Sequence, residues 1–297
     1  MKKRLIFKLL LPALSALLLS ACDRVETPAA VRSDEIVFVQ DGLDVEVGQT
    51  RAAAVTAADL DAGTIYVTAV TGAAGSESAD WSNVAFTYSD GIFAGGKFWA
   101  NSNPGYRFYG SNVSVTPSAA GPTVSASNGT DVVCAYNSAP VYKQTNTLQF
   151  KHIFARLGDV TVTAASGYTV SNVSITLTPK VSGTYNLRTG SGYTDGTGWS
   201  STSNGSAVNI APSSPGTKSN DIWLVPGEYT VTASWRVTGG GGAYDETFSN
   251  ITYGIYLTAG KINTINVSFT GDASWIEFTI GVTDWSSTTL NFGSYPA

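Results

Sequence analysis

The sequence predicts an all-β protein built as two β-sandwich domains in tandem. Three observations lead there. Its 297 residues leave room for two ordinary domains after a leader. Short runs of β-branched and aromatic residues recur along the chain, separated by Gly, Pro, Asn and Ser turns. Aromatics make up 11% and charged residues only 13%, the balance of a packed extracellular β-protein and not of a disordered chain.

The first stretch, MKKRLIFKLLLPALSALLLSAC, opens with Lys2, Lys3 and Arg4 and continues with an apolar run from Leu5 to Leu19. Pro12 breaks that run, which is short for a membrane span and right for a signal peptide over residues 1–21. It ends Leu19-Ser20-Ala21-Cys22, small residues before a cysteine, as in the lipobox of bacterial lipoproteins. The alternative is a secretory leader with a chance cysteine; charge, apolar core, small residues and cysteine together favour lipid on Cys22. The chain is then expected to leave the cytoplasm and be held by acyl chains at the membrane surface. Cys134 is the one other cysteine of the two, so no internal disulfide framework is expected.

Residues 22–51 read as a tether followed by a segment with strand character. Asp23 to Ser33 is polar, and EIVFVQDGLDVEV (Glu35 to Val47) reads as a hairpin or bent strand with an Asp41-Gly42 turn. Arg51 then stands before Ala52, Ala53 and Ala54, with no acidic residue close by. It either solvates a turn or marks a site meant to be cut. A turn or two of helix near Ala52 to Leu60 is the one helical candidate.

Strands are predicted at 64–70, 83–88, 96–100, 131–136, 147–164, 171–179, 227–239 and 260–269. The clearest is GEYTVTASWRVTG, where Tyr229, Val231, Ala233, Trp235 and Val237 share one face. Gly239 to Gly242 turn it into a hairpin with AYDETFSNITYGIYL. They resemble a phosphate loop in composition only, since no basic residue or helix follows. Spacing loosens near Gly167, which places the N-terminal domain at 52–166 and the C-terminal domain at 167–270.

An extension, 271–297, follows Phe269. In it Ile276, Phe278, Ile280 and Val282 alternate with Glu277, Thr279 and Gly281, and Trp285 lies just beyond. Burying four such side chains is worth roughly 6–12 kcal/mol before ordering costs. Left open, the strand is an aggregation hazard. It is either the last strand of its own domain or a strand for another molecule.

TLQFKHIFARLGDVTV, LVPGEYTVTASW, LTAGKINTINV and WIEFTIGVTDW, with the lipobox at Cys22 and Thr50-Arg51-Ala52, resemble the fimbrillin (Mfa-like) family of Bacteroidales type V pilin lipoproteins. The resemblance implies transthyretin-like, Greek-key sandwiches and a fimbrial subunit. It implies a lipoprotein brought to the outer membrane and cell surface, cut after Arg51 by an arginine-specific, trypsin-like protease, and incorporated in the fimbrium. The cut would remove Glu35 to Val39 and open a groove for a C-terminal strand of another pilin subunit. Carried over, Ile276, Phe278, Ile280, Val282 and Trp285 are donor residues. Arg24 and Arg32 also suit the protease but precede the strand to be removed. A host or bacterial surface ligand is a further partner this admits.

Other functions find less in the residues. A net charge of −5, with no basic run after the leader, argues against nucleic acid. The lone histidine, His152, sits in a predicted strand; no catalytic triad, metal cluster or cofactor motif is legible. Asp59/Asp61 and Asp245/Glu246 are acidic pairs suited to solvating turns, although counting alone leaves a two-carboxylate glycosidase open. The stronger rival is a glycan-binding surface lipoprotein, with Trp81, Trp99, Tyr106, Tyr109, Tyr193 and Trp199 as stacking candidates. Their alternative place is the core or rim of a sandwich.

Overall fold

The structure, a computed structural model, describes residues 35–40, 63–89, 92–102, 104–137, 139–143, 146–190, 196–239, 244–270, 275–284 and 288–294. The all-β expectation holds. The strands, numbered in chain order, form a closed barrel and three further sheets.

The barrel uses β1 (Glu35–Gln40), β2 (Thr64–Thr71), β3 (Ser78–Ser89), β4 (Ile92–Phe98), β5 (Arg107–Ser111), β7 (Val133–Tyr136), β8 (Asn146–His152) and β19 (Thr288–Ser294). Around the barrel their order is β1-β19-β8-β7-β5-β2-β3-β4. The first unit thus closes on itself as a barrel, where the sequence suggested a β-sandwich. Closure removes free edges, which a small sheet otherwise has to shield. Its interior is largely aromatic: Phe38 meets Phe86 edge-on at 4.9 Å and Phe108 at 6.0 Å, with Phe93, Trp99, Tyr106 and Phe150 in the same core. Rings of this size fit because the wall is thin at two points. A Cβ on Gly110 would lie 2.9 Å from Phe150, and one on Gly95 would lie 2.9 Å from Phe86.

The C-terminal unit is a sandwich. One sheet orders β13 (Val208–Asn209), β10 (Tyr168–Leu177), β15 (Gly227–Gly239) and β16 (Tyr244–Leu257). The other orders β14 (Gly216–Leu224), β9 (Ala155–Ala164), β17 (Lys261–Thr270) and β18 (Trp275–Asp284). In β15 the predicted face, Tyr229 to Val237, is buried in alternation, and β15 pairs with β16 as the expected hairpin. Trp235 stacks on Phe248 at 4.9 Å and meets Phe269 at 5.4 Å, filling the space between the sheets. The expected boundary at Gly167 falls inside this unit. β9 pairs with β14 and, in parallel, with β17, so it lies on the C-terminal side. Only Ile153 and Phe154 separate it from β8.

A third sheet, β12 (Trp199–Asn204), β11 (Lys180–Asn186) and β6 (Thr123–Ser127), bridges the two units. It carries a separate core in which Val70, Tyr109 and Cys134 of the barrel strands pack with Tyr185, Leu187 and Trp223. A short helix, α1 (Leu187–Gly190), follows β11. Its Arg188 donates to Glu77, at 2.7 Å, across the seam.

Candidate functional site

The most informative site is the slot in the barrel wall between β8 and β4, which two strands fill side by side. β1 comes from the start of the chain and β19 from its end. β1 pairs antiparallel with β4 on one side and β19 on the other. β19 pairs antiparallel with β8, from Thr288 opposite Phe150 to Phe292 opposite Asn146. Ile36, Val37 and Phe38 are buried to within 1% of their surface. Three such side chains contribute roughly 5–9 kcal/mol of transfer free energy toward keeping β1 seated.

Cys22, Arg51, Ala52 and Trp285 lie outside the described residues, as do residues 52–60 where a helical turn was expected. The predicted donor residues fall on β18, which pairs with β17 of the same chain over its whole length, Lys261 opposite Asp284 to Thr270 opposite Trp275. Ile276, Phe278 and Ile280 pack partly buried against the sandwich core, and Val282 is 54% exposed. Of the C-terminal extension, the part that reaches the barrel is β19, TTLNFGS. Its signal was the alternation of Leu290 and Phe292 with Thr289, Asn291 and Gly293.

The remaining candidates resolve into core. Trp99, Tyr106 and Tyr109 are at most 3% exposed, and Trp81 and Trp199 are half-buried against other rings. Tyr193 lies outside the described residues. Tyr106 donates to Asp80 at 3.0 Å, and burial first, then that carboxylate, pushes its hydroxyl pKa up to about 12. His152 Nδ1 lies 2.8 Å from Asp131, with 2% and 1% of the two side chains exposed, so the pair is sealed from any substrate. Cys134 is buried, and burial pushes its thiol up to about 12, which makes it an inert core residue. Asp245 forms a two-bond ion pair with Arg236 across the β15–β16 hairpin. Asp59 and Asp61 lie outside the described residues. Among the described residues no group of three His, Cys, Asp or Glu is placed to hold a metal ion.

No curated protein matches the chain. Among solved structures, a fimbrial protein from Bacteroides vulgatus is 11% identical with a TM-score of 0.45, over 74% of this chain and 92% of that one. The tip fimbrial protein Mfa3 from Porphyromonas gingivalis, solved with a C-terminal truncation, is 12% identical with a TM-score of 0.35, over 84% of this chain and 98% of that one. The model of the fimbrillin-like family matches residues 50–285, well over half of the sequence, and the chain belongs to that family.

Proposed function

We propose that the protein is a fimbrial subunit, exported as a surface lipoprotein, activated by a cut after Arg51 and polymerised by donation of a strand from the segment after Phe269. Family membership supports the fimbrial role. The observation that carries the mechanism is the chain order of the barrel. β1 lies before Arg51, and the other seven barrel strands lie after it. A cut after Arg51 therefore turns β1 from a covalent part of the wall into a bound peptide. Its loss would open a slot lined by Phe86, Phe93 and Phe108, and backbone pairing with a strand of another subunit would refill it. The same cut removes Cys22 with its lipid, which suits a shaft subunit. The partners are other pilin subunits and an arginine-specific protease, and the place is the outer membrane surface before the cut and the fimbrium after it. The burial of Trp99, Tyr106 and Tyr109 leaves the glycan-binding alternative without three of its six aromatic candidates.

The test is digestion of the exported chain, freed of its leader, with an arginine-specific protease. A new N-terminus at Ala52 and a ladder of multimers on an unboiled SDS gel are expected, and Arg51→Ala should remain intact and monomeric. A protein that is cut at Arg51 yet stays monomeric would remove the basis of the proposal.

A further inference from the structure

The dipeptide Asn-Gly occurs twice in the sequence, and both copies leave the same sheet at the same end. Ser127-Asn128-Gly129 runs out of β6 and Ser203-Asn204-Gly205 out of β12, the two strands that flank β11. Ser127 and Ser203 both lie opposite Ser182, one on each side of it. Independently of the fimbrial reading, we propose that Asn128 is a site of spontaneous deamidation through a cyclic imide, and that the fold locks Asn204 against the same reaction.

The chemistry needs only the chain and water. The backbone nitrogen of the residue after asparagine attacks the side-chain carbonyl carbon, Cγ. An N–Cγ bond forms, the Cγ–Nδ2 bond breaks, and the side-chain nitrogen takes up the backbone amide proton and leaves as ammonia. Water then opens the succinimide ring. Opening at Cγ gives an aspartyl residue, and opening at the main-chain carbonyl gives an isoaspartyl one. Amide and water become carboxylate and ammonium, and nothing is oxidised or reduced. Glycine suits the attacking position because it has no Cβ to shield the nitrogen or to restrict the backbone that must fold into the ring.

At Asn128 the geometry is open. Asn128 and Gly129 are the central residues of a turn in which Thr130 N donates to Ser127 O at 3.2 Å, and both are exposed. The Asn128 N–H donates to Val181 O at 2.8 Å, which fixes one side of the residue. The Gly129 N–H makes no hydrogen bond among the described residues, and a Cβ on Gly129 would meet nothing within 4 Å. The nucleophile is uncommitted, and the space for the ring is clear.

At Asn204 it is closed. Gly205 donates its N–H to Pro179 O at 2.8 Å, and a Cβ on it would lie 2.7 Å from Val181 Cγ1. Ring closure there first requires that bond to break and the end of β12 to lift away, so the native rate should be about tenfold or more below that at Asn128. The product at Asn128 carries one new negative charge. In its isoaspartyl form it also adds a carbon to the backbone between the Val181 bond and Asp131, which is buried against His152.

The test holds the exported chain, freed of its leader, in mildly alkaline, isotope-labelled water. Peptides covering positions 128 and 204 are followed by mass spectrometry with fragmentation that separates aspartyl from isoaspartyl. In the native protein Asn128 should gain labelled oxygen in both product forms while Asn204 lags. In urea the two sequences, Ser-Asn-Gly-Thr and Ser-Asn-Gly-Ser, should react at like rates. Gly129→Ala has room for its methyl, at a φ outside the left-handed region, so it should keep the parent's urea midpoint and slow the reaction at Asn128. Equal native rates at the two sites, no reaction at Asn128 in the native protein, or a product without isoaspartate overturns the proposal. A difference that persists in urea overturns the assignment of the lock to the fold.

Discussion

At the residue scale, Phe38 is the largest buried side chain of β1, with no exposed surface and edge contacts to Phe86 and Phe108. Phe38→Ala should lower stability by about 3–5 kcal/mol in urea unfolding, the usual range for a buried Phe. Gly110→Ala would push a methyl into Phe150 and should cost about 1–3 kcal/mol in the same assay. Five buried groups set an alkaline limit, with burial pushing the phenols of Tyr109 and Tyr185 up furthest. Burial raises Cys134, Tyr106 and Tyr229 to about 12. Unfolded thiols and phenols titrate near ~8.5 and ~10, so above those values the unfolded chain holds fewer protons than the native one. Stability should therefore fall as pH rises from about 8.5 toward 12. The urea midpoint is expected to drop between neutral and strongly alkaline buffer, and Cys134→Ala should flatten the early part of that drop. At neutral pH, thiol reagents should label Cys134 only as fast as the protein unfolds. None of these environments is written in local sequence. Asp80 reaches Tyr106 across 26 positions.

At the element scale, strands whose own residues alternate were legible. β15 shows its buried face directly because five apolar positions repeat at period two. β19 was harder to see because only Leu290 and Phe292 mark it, and Thr, Asn and Gly around them also suit a turn. Its place comes from β8 and β1, 138 positions or more away by the pairing of Phe150 with Thr288. The run TLQFKHIFARLGDVTVTA read as a single strand for a related reason. β8 and β9 follow each other across two apolar residues, so the hydrophobic pattern hides a change of sheet. Hydrogen exchange gives a prediction for these elements. After a cut at Arg51, amides of 92–98 and 288–294 should lose protection, whereas those of 261–270 and 275–284 should keep it. Equal loss in both groups would show that β18 is released as well.

At the scale of the whole molecule, barrel and sandwich share the seam core around Tyr109, Tyr185 and Trp223. Glu77, only 3% exposed at its side chain, accepts from Arg188 at 2.7 Å and from Tyr109 at 3.3 Å, tying the β2–β3 connection to α1. Arg188 and Tyr109 lie 111 and 32 positions from it, which is why no local motif announces the cluster. Arg188→Ala leaves a buried carboxylate short of its nearest cation and should destabilise by about 1–3 kcal/mol. Because the seam holds a hydrophobic core shared by both parts, unfolding should show one transition, coincident by far-UV circular dichroism and tryptophan fluorescence. The β17–β18 ladder has a mechanical consequence if a fibre is linked, as proposed, through the chain that follows β18. A pull on β19 reaches β18 at its Asp284 end and runs along the strand axis, across bonds that stand perpendicular to it. Ten paired positions then resist in shear at the same moment instead of opening one by one. Under tension the subunit should give way first at the intermolecular strand, so a fibre under load would shed whole, folded subunits and leave intact ends able to rejoin.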